Sequence, residues 1–362
     1  MIITGKYPNL RMRRSRKEEW SRRLVRENSL SGSDFVLPIF VTDGKNRKVE
    51  IKSMKGVYRY SVDNLSGIID RAIKNKIPMI AIFPETNKKL KDLKGSEALN
   101  ENNLVCKAIR NVKKKYKNYI GIMCDVALDP YTSHGHDGII KKNEILNDET
   151  VEILIKQALL QAEMGCDVIA PSDMMDGRIG KIRKELDRKG FKKIQILSYA
   201  VKYSSSFYGP FRDAIGSKNS LKGDKKTYQM DYGNSDEALR EVSIDIKEGA
   251  DMVMVKPGLP YLDIIKDIKN RFKIPVLAYQ VSGEYSLLTN AIKNKILKPE
   301  AIYETLLSFK RAGANAIISY HADYLDKILK WLFKVINKVK SWYWKINNIM
   351  NKNIFFHKLT YQ

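Results

Sequence analysis

Short, continuous runs of apolar residues recur along the chain, and most are followed by a longer segment with the helical spacing of apolar residues. Such a run is typical of a strand that is buried on both faces. We expect strands over residues 36–41, 79–84, 120–128, 168–172, 195–201, 252–255, 275–281 and 316–320. We expect helices over residues 61–77, 97–117, 149–165, 179–190, 235–249, 261–272 and 299–312.

The alternation of eight strands with helices predicts an α/β protein, an eight-stranded parallel β/α (TIM) barrel. An open, doubly wound sheet is the alternative. That fold usually carries a glycine-rich phosphate loop after its first strand, and the sequence has none. In a barrel, functional side chains lie at the carboxyl ends of the strands. These ends are therefore the first place to search for a site.

Residues at the ends of the helical segments support these boundaries. Asp148 and Ser235 precede two of the segments and are suited to cap a helix N-terminus. Gly165, Gly249 and Gly313 stand where helices end before strands, because glycine readily adopts the left-handed conformation found there.

The barrel pattern occupies residues 31–325, and the segments on either side differ from it in composition. Residues 1–30 are basic and too polar to form a core, so we expect an extended N-terminal arm that packs on another surface. Residues 326–362 form a basic, aromatic-rich C-terminal extension with eight lysines. The extension is either a continuation of the last helix or a basic amphipathic helix that contacts a membrane or a partner.

Two of the predicted strands end in a lysine. Residues 250–260 (ADMVMVKPGLP) lead an apolar run into Lys256, and residues 195–202 (QILSYAVK) end in Lys202. An ordinary lysine, with a pKa near 10.4, is only about 0.04% free amine at pH 7. Burial or a second cation lowers that pKa and makes the amine a nucleophile for carbonyl carbons. A single lysine at a strand end is most often a charge that reaches the surface, but the pair predicts an imine-forming site.

Other polar groups stand at the remaining strand ends: Asp125, Asp129, Ser172, Asp173, Ser282 and Tyr320. The longest connection, residues 203–234, directly follows the Lys202 strand and is rich in serine, glycine and aromatic residues. A loop of this length inside a compact barrel is usually functional. Arg212 and Lys225 within it are candidates to bind an anionic group of a substrate, and the alternative is that they are solvated loop charges.

Composition excludes several classes of protein. With 43% hydrophobic and 29% charged residues, the chain has the composition of a soluble globular protein. No apolar run reaches the roughly 18 residues that a membrane helix needs. There is no readable apolar leader and the three cysteines lack metal or disulfide spacing, so we expect a cytoplasmic protein. The net charge is +24, but lysine is scattered through every predicted helix as a general compositional bias, so we expect no nucleic-acid partner.

Six motifs, in order along the chain, resemble those of the porphobilinogen synthase family, also called δ-aminolevulinic acid dehydratase. They are RMRRSR (11–16), DVALDPYTSHGHDG (125–138), APSDMMDGR (170–178), SYAVKYSSSFYGPFRD (198–213), MVMVKPGLPYLDI (252–264) and YQVSGEY (279–285). The resemblance covers roughly residues 9–325, and the motifs fall on the strand ends that the barrel pattern selects.

The resemblance implies an enzyme that condenses two molecules of 5-aminolevulinate to porphobilinogen with loss of two waters, in tetrapyrrole (haem) biosynthesis. Lys256 matches the lysine that forms the main Schiff base in the family, and Lys202 matches its partner for the second substrate. Arg212 and Lys225 match contacts for one substrate. Some members have arginine at the position of Lys225, and the bidentate binding of a carboxylate by that arginine would be lost here. The contacts for the other substrate are matched by Ser282 and Tyr320.

The segment 125–138 bears on the metal. Zinc-dependent members place three cysteines there, at positions that hold Ala127, Asp129 and Asp137 in this chain. Thiolates favour zinc and carboxylates favour hard cations. The resemblance therefore implies the aspartate-rich subgroup, associated with Mg²⁺ and sometimes a monovalent cation, and no catalytic Zn²⁺. Asp125 matches an active-site carboxylate. Asp129 and Asp137 are alternatively groups that bind the substrate amine or orient a water.

Two further properties are implied by the resemblance. Glu241 matches a position that holds an allosteric Mg²⁺ away from the active site, although the sequence alone makes it an ordinary glutamate on a helix surface. That site lies between subunits of an octamer, so a homo-octamer is implied, with residues 1–30 contacting a neighbouring barrel. His134 and His136 lie in a turn beside aspartates, and we expect them to be structural.

Two other functions compete with this interpretation. Another Schiff-base barrel, a class I aldolase-like lyase, needs only one imine lysine and leaves Lys202 and the loop with Arg212 unexplained. A basic nucleic-acid-binding protein on an inactivated barrel would account for the charge, but the completeness of the paired-lysine site argues against it. Salt-sensitive binding of nucleic acid would be its signature.

Overall fold

The computed structural model describes residues 5–216, 221 and 223–324, and there eight parallel strands close into a barrel. The strands are β1 (Phe35–Thr42), β2 (Met79–Pro84), β3 (Gly121–Val126), β4 (Val168–Pro171), β5 (Gln195–Lys202), β6 (Met252–Lys256), β7 (Val276–Gln280) and β8 (Ala316–Ser319). β8 pairs in parallel with β1 and closes the ring. The predicted barrel and all eight predicted strands are confirmed.

Helices surround the barrel, and those that connect successive strands return the chain to the start of the next strand. They are α1 (Glu19–Leu24), α2 (Ser66–Lys74), α3 (Leu104–Tyr116), α4 (Asn147–Glu163), α5 (Arg178–Arg188), α6 (Gly209–Ala214), α7 (Asp236–Lys247), α8 (Leu262–Phe272), α9 (Ser282–Lys293) and α10 (Glu300–Ala312). The seven predicted helices are present as α2–α5, α7, α8 and α10. The largest differences are at the starts of α2 and α3, where short 3₁₀ turns replace the first predicted turns.

The predicted capping residues have mixed outcomes. Asp148 is not an N-cap, because α4 already begins at Asn147 and Asp148 lies in its first turn, where its charge suits the helix dipole. Ser235 holds the N-cap position of α7 without a side-chain cap bond. Gly165, Gly249 and Gly313 have φ of +102°, +103° and +115°, which confirms them as helix ends.

The sequence prediction missed α6, α9 and two antiparallel strand pairs, Lys48–Glu50 with Tyr58–Ser61 and Ile139–Lys141 with Glu144–Leu146. α9 was hidden because it opens with a serine and a glycine, which are poor helix formers. Gly283 is required by packing, since a Cβ there would lie 2.3 Å from the carbonyl oxygen of Phe207.

Apolar side chains pack in two layers, which explains why the strands read as continuous apolar runs. In β1, Val36 and Phe40 face the barrel interior, whereas Leu37 and Ile39 pack against the helices. Because both faces of each strand are covered, every residue of β1 is buried. The interior layer includes Phe83, Tyr199, Tyr279 and other aromatic residues that form the floor of the site described below.

The arm has little contact with the barrel in this chain. Between residues 5 and 29 no residue is buried, and Tyr7, Met12, Trp20 and Leu24 are exposed. The division into an arm (1–30), a barrel (31–325) and an extension (326–362) stays a prediction, because the extension lies outside the described residues. Among the described residues no helix is long and apolar enough to cross a membrane.

Candidate active site

Lys202 and Lys256 lie side by side at the carboxyl ends of β5 and β6. The two residues are direct partners in the parallel pairing of these strands. Both are buried, with only 5% of Lys202 and 7% of Lys256 exposed. The strand ends thus bring together the two predicted imine lysines, which are 54 residues apart in the sequence (256 − 202).

Aromatic rings surround the Lys256 amine. Its Nζ lies 5.0 Å from the ring centre of Tyr199, 5.4 Å from Tyr208, 5.3 Å from Phe211 and 4.8 Å from Tyr279. These rings exclude water from the amine while their faces tolerate a cation. Sequence analysis missed them as site residues. The signal that could have found them is the set of aromatic residues in the predicted strands and in the loop after Lys202.

Burial lowers the pKa of Lys256 to about 7, and the neighbouring charge of Lys202 acts in the same direction. The carboxylates of Asp125, Asp129 and Asp137 oppose this shift but do not cancel it. About half of the Lys256 amine is therefore unprotonated near neutral pH, compared with about 0.04% of an ordinary lysine. The free amine is the form that attacks a carbonyl carbon.

Lys202 is held from two sides. Its Nζ donates a hydrogen bond to the carbonyl oxygen of Ser172 at the end of β4. The same Nζ lies 3.6 Å from Oδ1 of Asp137. These contacts direct the Lys202 amine toward the acidic side of the barrel mouth.

Asp129, Asp137 and Lys225 form a buried cluster next to Lys202. Nζ of Lys225 lies 2.9 Å from Oδ2 of Asp137 and 3.3 Å from Oδ2 of Asp129. Burial raises the pKa of Asp137, but the charges of Lys202 and Lys225 outweigh it and the net pKa is well below the ordinary value. Burial would lower the pKa of Lys225, but the two carboxylates raise it instead. The predicted substrate-binding lysine is thus already paired with two aspartates.

The pKa of Asp125 is shifted upward, in the opposite direction to that of Asp137. Burial raises its pKa to about 6, with a further contribution from the charge of Asp129, although Lys256 pulls the pKa down. Its Oδ1 is buried without a hydrogen-bond partner among the described residues. Asp125 therefore exchanges a proton close to neutral pH, near the Lys256 amine.

Arg212 lies in α6 and lines the same cavity as Lys202, Lys225 and Lys256. The cavity measures only about 30 Å³. It is this small because Phe211 packs over it, 5.8 Å from Phe40 and 5.4 Å from Phe83 between ring centres. The volume is enough for about one water molecule.

Ser282 and Tyr320 do not line this cavity, and both are engaged in contacts within the protein. The Ser282 hydroxyl accepts a hydrogen bond from the backbone N–H of Phe211 at 2.8 Å and donates to the carbonyl of Phe207. The Tyr320 hydroxyl lies 3.1 Å from that of Tyr279, and its ring stacks on Phe40.

Asp173 does not face the site, although it was selected as a strand-end residue. Its carboxylate lies 3.5 Å from Nε of Arg178. Nη2 of the same arginine lies 3.7 Å from the carboxylate of Asp245. The buried arginine on α5 thus engages the Asp173 carboxylate, and Asp173 is not among the residues that line the cavity with Lys202 and Lys256. Sequence spacing alone gives no sign of this ion pair.

His134 and His136 have backbone and tyrosine partners, which agrees with their predicted structural role. Nε2 of His134 lies 3.2 Å from the carbonyl oxygen of Leu93. The His134 Nδ1 accepts a hydrogen bond from the His136 backbone N–H at 3.2 Å. Nδ1 of His136 lies 3.1 Å from the Tyr228 hydroxyl.

Glu241 lies outside the barrel mouth, in a second cavity of about 500 Å³. The other acidic residues that line this cavity are Glu144, Asp176 and Glu237. Burial raises the pKa of Glu241, opposed by Arg178 and assisted by nearby carboxylates. Among the described residues no cluster of three histidine, cysteine or acidic side chains is close enough to hold a bare metal ion.

Known proteins resemble this chain over almost the whole described barrel. The sequence model of the family described as "Delta-aminolevulinic acid dehydratase" matches residues 9–328. A protein of that name from Bradyrhizobium diazoefficiens is 58% identical over 314 residues, covering 86% of this chain and 89% of the relative. Another from Rhodobacter capsulatus is 46% identical, covering 91% of this chain and 99% of the relative.

A solved structure shows the same fold at high sequence identity. It is the delta-aminolevulinic acid dehydratase (porphobilinogen synthase) of Toxoplasma gondii ME49 in complex with the reaction product porphobilinogen. The two structures superpose with a TM-score of 0.85 at 44% identity, covering 89% of this chain and 91% of the other.

Proposed function

The chain belongs to the delta-aminolevulinic acid dehydratase family, whose reaction condenses two 5-aminolevulinate molecules to porphobilinogen with loss of two waters, and we propose that here it proceeds through imines on Lys256 and Lys202. The observation that supports this proposal best is the buried pair of amines, one of which is half unprotonated at neutral pH. A class I aldolase-like lyase would leave the second buried amine without a use, and the family decides against it.

The Lys256 amine attacks the ketone carbon of the first substrate in this proposal. A C–N bond forms, the ketone oxygen leaves as water, and the protonated imine that results withdraws electrons from the adjacent carbon. Asp125, whose pKa of about 6 is close to neutrality, takes up or returns the proton exchanged there. Lys202 forms the corresponding C–N bond with the second substrate.

The substrate carboxylates need cations or hydroxyl donors. We assign Arg212 and Lys225 to the substrate on Lys202, and Ser282 and Tyr320 to the substrate on Lys256. A cavity of about 30 Å³ does not hold either substrate, so its lining must rearrange for binding, and we propose that the segment with Phe211 is the part that moves. Its movement releases the Ser282 hydroxyl from the Phe211 N–H, which frees that hydroxyl for a carboxylate.

Asp129 and Asp137 remain as the acidic groups of the site. Their carboxylates are paired with Lys225 and, for Asp137, with Lys202. When Lys225 turns toward a substrate carboxylate, the aspartates are left to bind the substrate ammonium. The aspartates thus complement the amine of the substrate at the position where zinc-dependent relatives place cysteines.

The donor set of the active site suits a hard cation and not zinc. Asp129 lines the described cavity and Asp137 lies next to it through Lys225, whereas Cys106, Cys124 and Cys166 are buried elsewhere and do not line the cavity. Thiolates select zinc and carboxylates select magnesium or similar ions. We therefore propose that catalysis needs no Zn²⁺, and that Asp129 and Asp137 would be the residues to hold a Mg²⁺ or a monovalent cation if one enters.

Glu241 is proposed to hold an allosteric Mg²⁺. Mg²⁺ usually keeps several waters and uses only one or two carboxylates, and a cavity of about 500 Å³ with four acidic residues leaves room for a hydrated ion. Gln229 lines both this cavity and the active-site cavity. A cation bound at Glu241 would attract the polar groups around Gln229 and so favour one position of this residue in both cavities.

The arm supports the proposal of a homo-octamer. Tyr7, Met12, Trp20 and Leu24 are large apolar residues that lie exposed on it, and exposed apolar patches of this kind mark contact surfaces. Cytoplasmic location and the lack of a nucleic-acid or membrane partner stay predictions.

The activity is tested by porphobilinogen formation from 5-aminolevulinate. Lys256→Ala should abolish turnover, because it removes the amine that attacks the first substrate and whose pKa burial lowers to about 7. Lys266→Ala, an exposed lysine on α8, is the matched control and should retain full turnover. Unchanged activity in Lys256→Ala would overturn the proposed mechanism.

A further inference from the structure

We infer that Tyr228 and His136 form a positioning pair that fixes Lys225 and Asp137 for the substrate that bonds to Lys202. The inference rests on the proposed role of Lys202 and adds two residues that themselves contact no reacting atom. Their function is to hold together, beside the active site, the segment that carries Asp137 and the segment that carries Lys225.

The Tyr228 hydroxyl joins these segments next to the ion pairs of Lys225 with Asp129 and Asp137. It lies 3.1 Å from Nδ1 of His136 and accepts a hydrogen bond from the backbone N–H of Asp137 at 3.3 Å. The rings of Tyr228 and His136 are tilted by 60°, with centres 6.0 Å apart. Tyr228 and His136 are separated by 92 residues in the sequence, so this is a tertiary contact.

His136 is itself fixed in its turn. Its backbone N–H donates to His134 Nδ1 at 3.2 Å, and its carbonyl accepts a hydrogen bond from the Thr132 hydroxyl at 2.9 Å. The turn that carries Asp137 is therefore rigid, and His136 presents Nδ1 from a defined position.

Lys225 depends on Tyr228 more than on its sequence neighbours. Residues 223, 224, 226 and 227 are all exposed, whereas Lys225 is buried. The backbone N–H groups of Tyr228 and Gln229 donate to the Lys225 carbonyl at 3.3 and 2.9 Å, so Lys225 and Tyr228 belong to one turn. Fixing the Tyr228 hydroxyl therefore fixes the turn and the direction of the Lys225 side chain.

The consequence concerns one substrate and not the other. Asp137 contacts Lys202 and Lys225, whereas the rings around Lys256 come from Tyr199, Tyr208, Phe211 and Tyr279. Loss of the Tyr228 hydroxyl should therefore weaken binding at Lys202 and leave the first imine at Lys256 intact. A residue that only fills space would not separate the two lysines in this way.

Tyr228→Phe tests the pair because it removes the hydroxyl and keeps the ring. We expect kcat/KM for 5-aminolevulinate to fall roughly tenfold, the size expected for one buried hydrogen bond, mainly through a higher KM. Borohydride trapping with 5-aminolevulinate, followed by peptide mass spectrometry, should retain the adduct on Lys256 and lose most of that on Lys202. His136→Ala should behave in the same way, and the double variant should be no worse than either single variant.

The matched control is Tyr203→Phe. The Tyr203 hydroxyl also makes a partly buried hydrogen bond, to the carbonyl of Asn234 at 2.8 Å, but its ring stacks on Tyr261 and does not line the active-site cavity. This control should lose thermal stability without changing KM or the adduct ratio. Wild-type protein that gives no adduct on Lys256 would contradict the proposed function. If wild type gives both adducts and Tyr228→Phe keeps the wild-type KM and adduct ratio, the positioning pair is overturned while the proposed function stands.

Discussion

The charge of Lys202 should control the pKa of Lys256, and Lys202→Met tests this directly. The two residues are partners on neighbouring strands, and adjacent strands lie about 4.8 Å apart. Two unit charges roughly 6 Å apart interact by about 2.8 kcal/mol at an effective dielectric constant near 20, which corresponds to about 2 pKa units. The pKa of Lys256 should therefore rise by about that amount from its value of about 7.

The sign of the effect on reactivity follows from the protonation of the amine. Raising the pKa by about 2 units lowers the free amine at pH 7 from about half to about 1%. Imine formation at Lys256 should then be roughly 50-fold slower at pH 7, and should recover at higher pH. The three nearby carboxylates raise the pKa of Lys256. Once the opposing charge of Lys202 is lost, their effect on this pKa is no longer counteracted by a neighbouring cation.

The assay is the pH dependence of the rate at which 5-aminolevulinate is trapped on Lys256 by borohydride, at saturating substrate. Lys202→Arg is the matched control, because arginine keeps the positive charge but forms no imine. The midpoint should stay near 7 in Lys202→Arg and move upward in Lys202→Met. Equal midpoints in the two variants would show that burial alone sets the pKa and that the neighbouring charge is irrelevant.

Three further changes test the site at other points. Lys256→Met should raise the melting temperature at pH 7. The pKa of Lys256 is about 7 in the folded protein and 10.5 in an ordinary lysine, so the stability of wild type rises as the pH increases from 7 to 10.5. The stability advantage of the variant should therefore vanish toward pH 10.5. Parallel pH–stability curves for the two proteins would contradict this. Asp137→Asn should destabilise the protein by about 3 kcal/mol or more at neutral pH, because it removes the carboxylate that two buried ammonium groups share and leaves Asp129 to pair with Lys225. The wild-type advantage should decline progressively as the pH falls below 3.8 toward the much lower pKa of Asp137 in the folded protein, and an Asn variant as stable as wild type at pH 7 would refute the ion cluster. Glu241→Ala should reduce both stimulation by Mg²⁺ and the population of the largest oligomer seen by sedimentation, and wild-type behaviour in both would remove the allosteric assignment.

The fold was predictable because each barrel strand is buried on both faces and so appears as an apolar run. Two lysines at strand ends were enough to predict a shared site, since parallel strands place their carboxyl ends at the same edge. The charge pairing of Lys225 with Asp129 and Asp137 was not predictable from spacing. It depends on how the connection after β5 folds back over the barrel.

The directions of the side chains beyond the strand ends were also not predictable from the sequence. Asp173 lies two residues beyond the end of β4 and Asp125 one residue before the end of β3, yet Asp173 pairs with a buried arginine on α5. Tyr228 and His136 meet although 92 residues separate them, and neither lies on a barrel strand. α9 was hidden by Gly283, which is required by its contact with Phe207 and not by helix propensity.

The most direct test of the account is to identify the lysine that bonds to the substrate. Protein stripped with chelator and then given Mg²⁺ or Zn²⁺ would be incubated with 5-aminolevulinate, reduced with borohydride and mapped by peptide mass spectrometry. The account predicts a substrate adduct on Lys256, with turnover supported by Mg²⁺ and no need for Zn²⁺. The absence of any adduct on Lys256 under every condition would contradict it and would leave the paired lysines as structural charges.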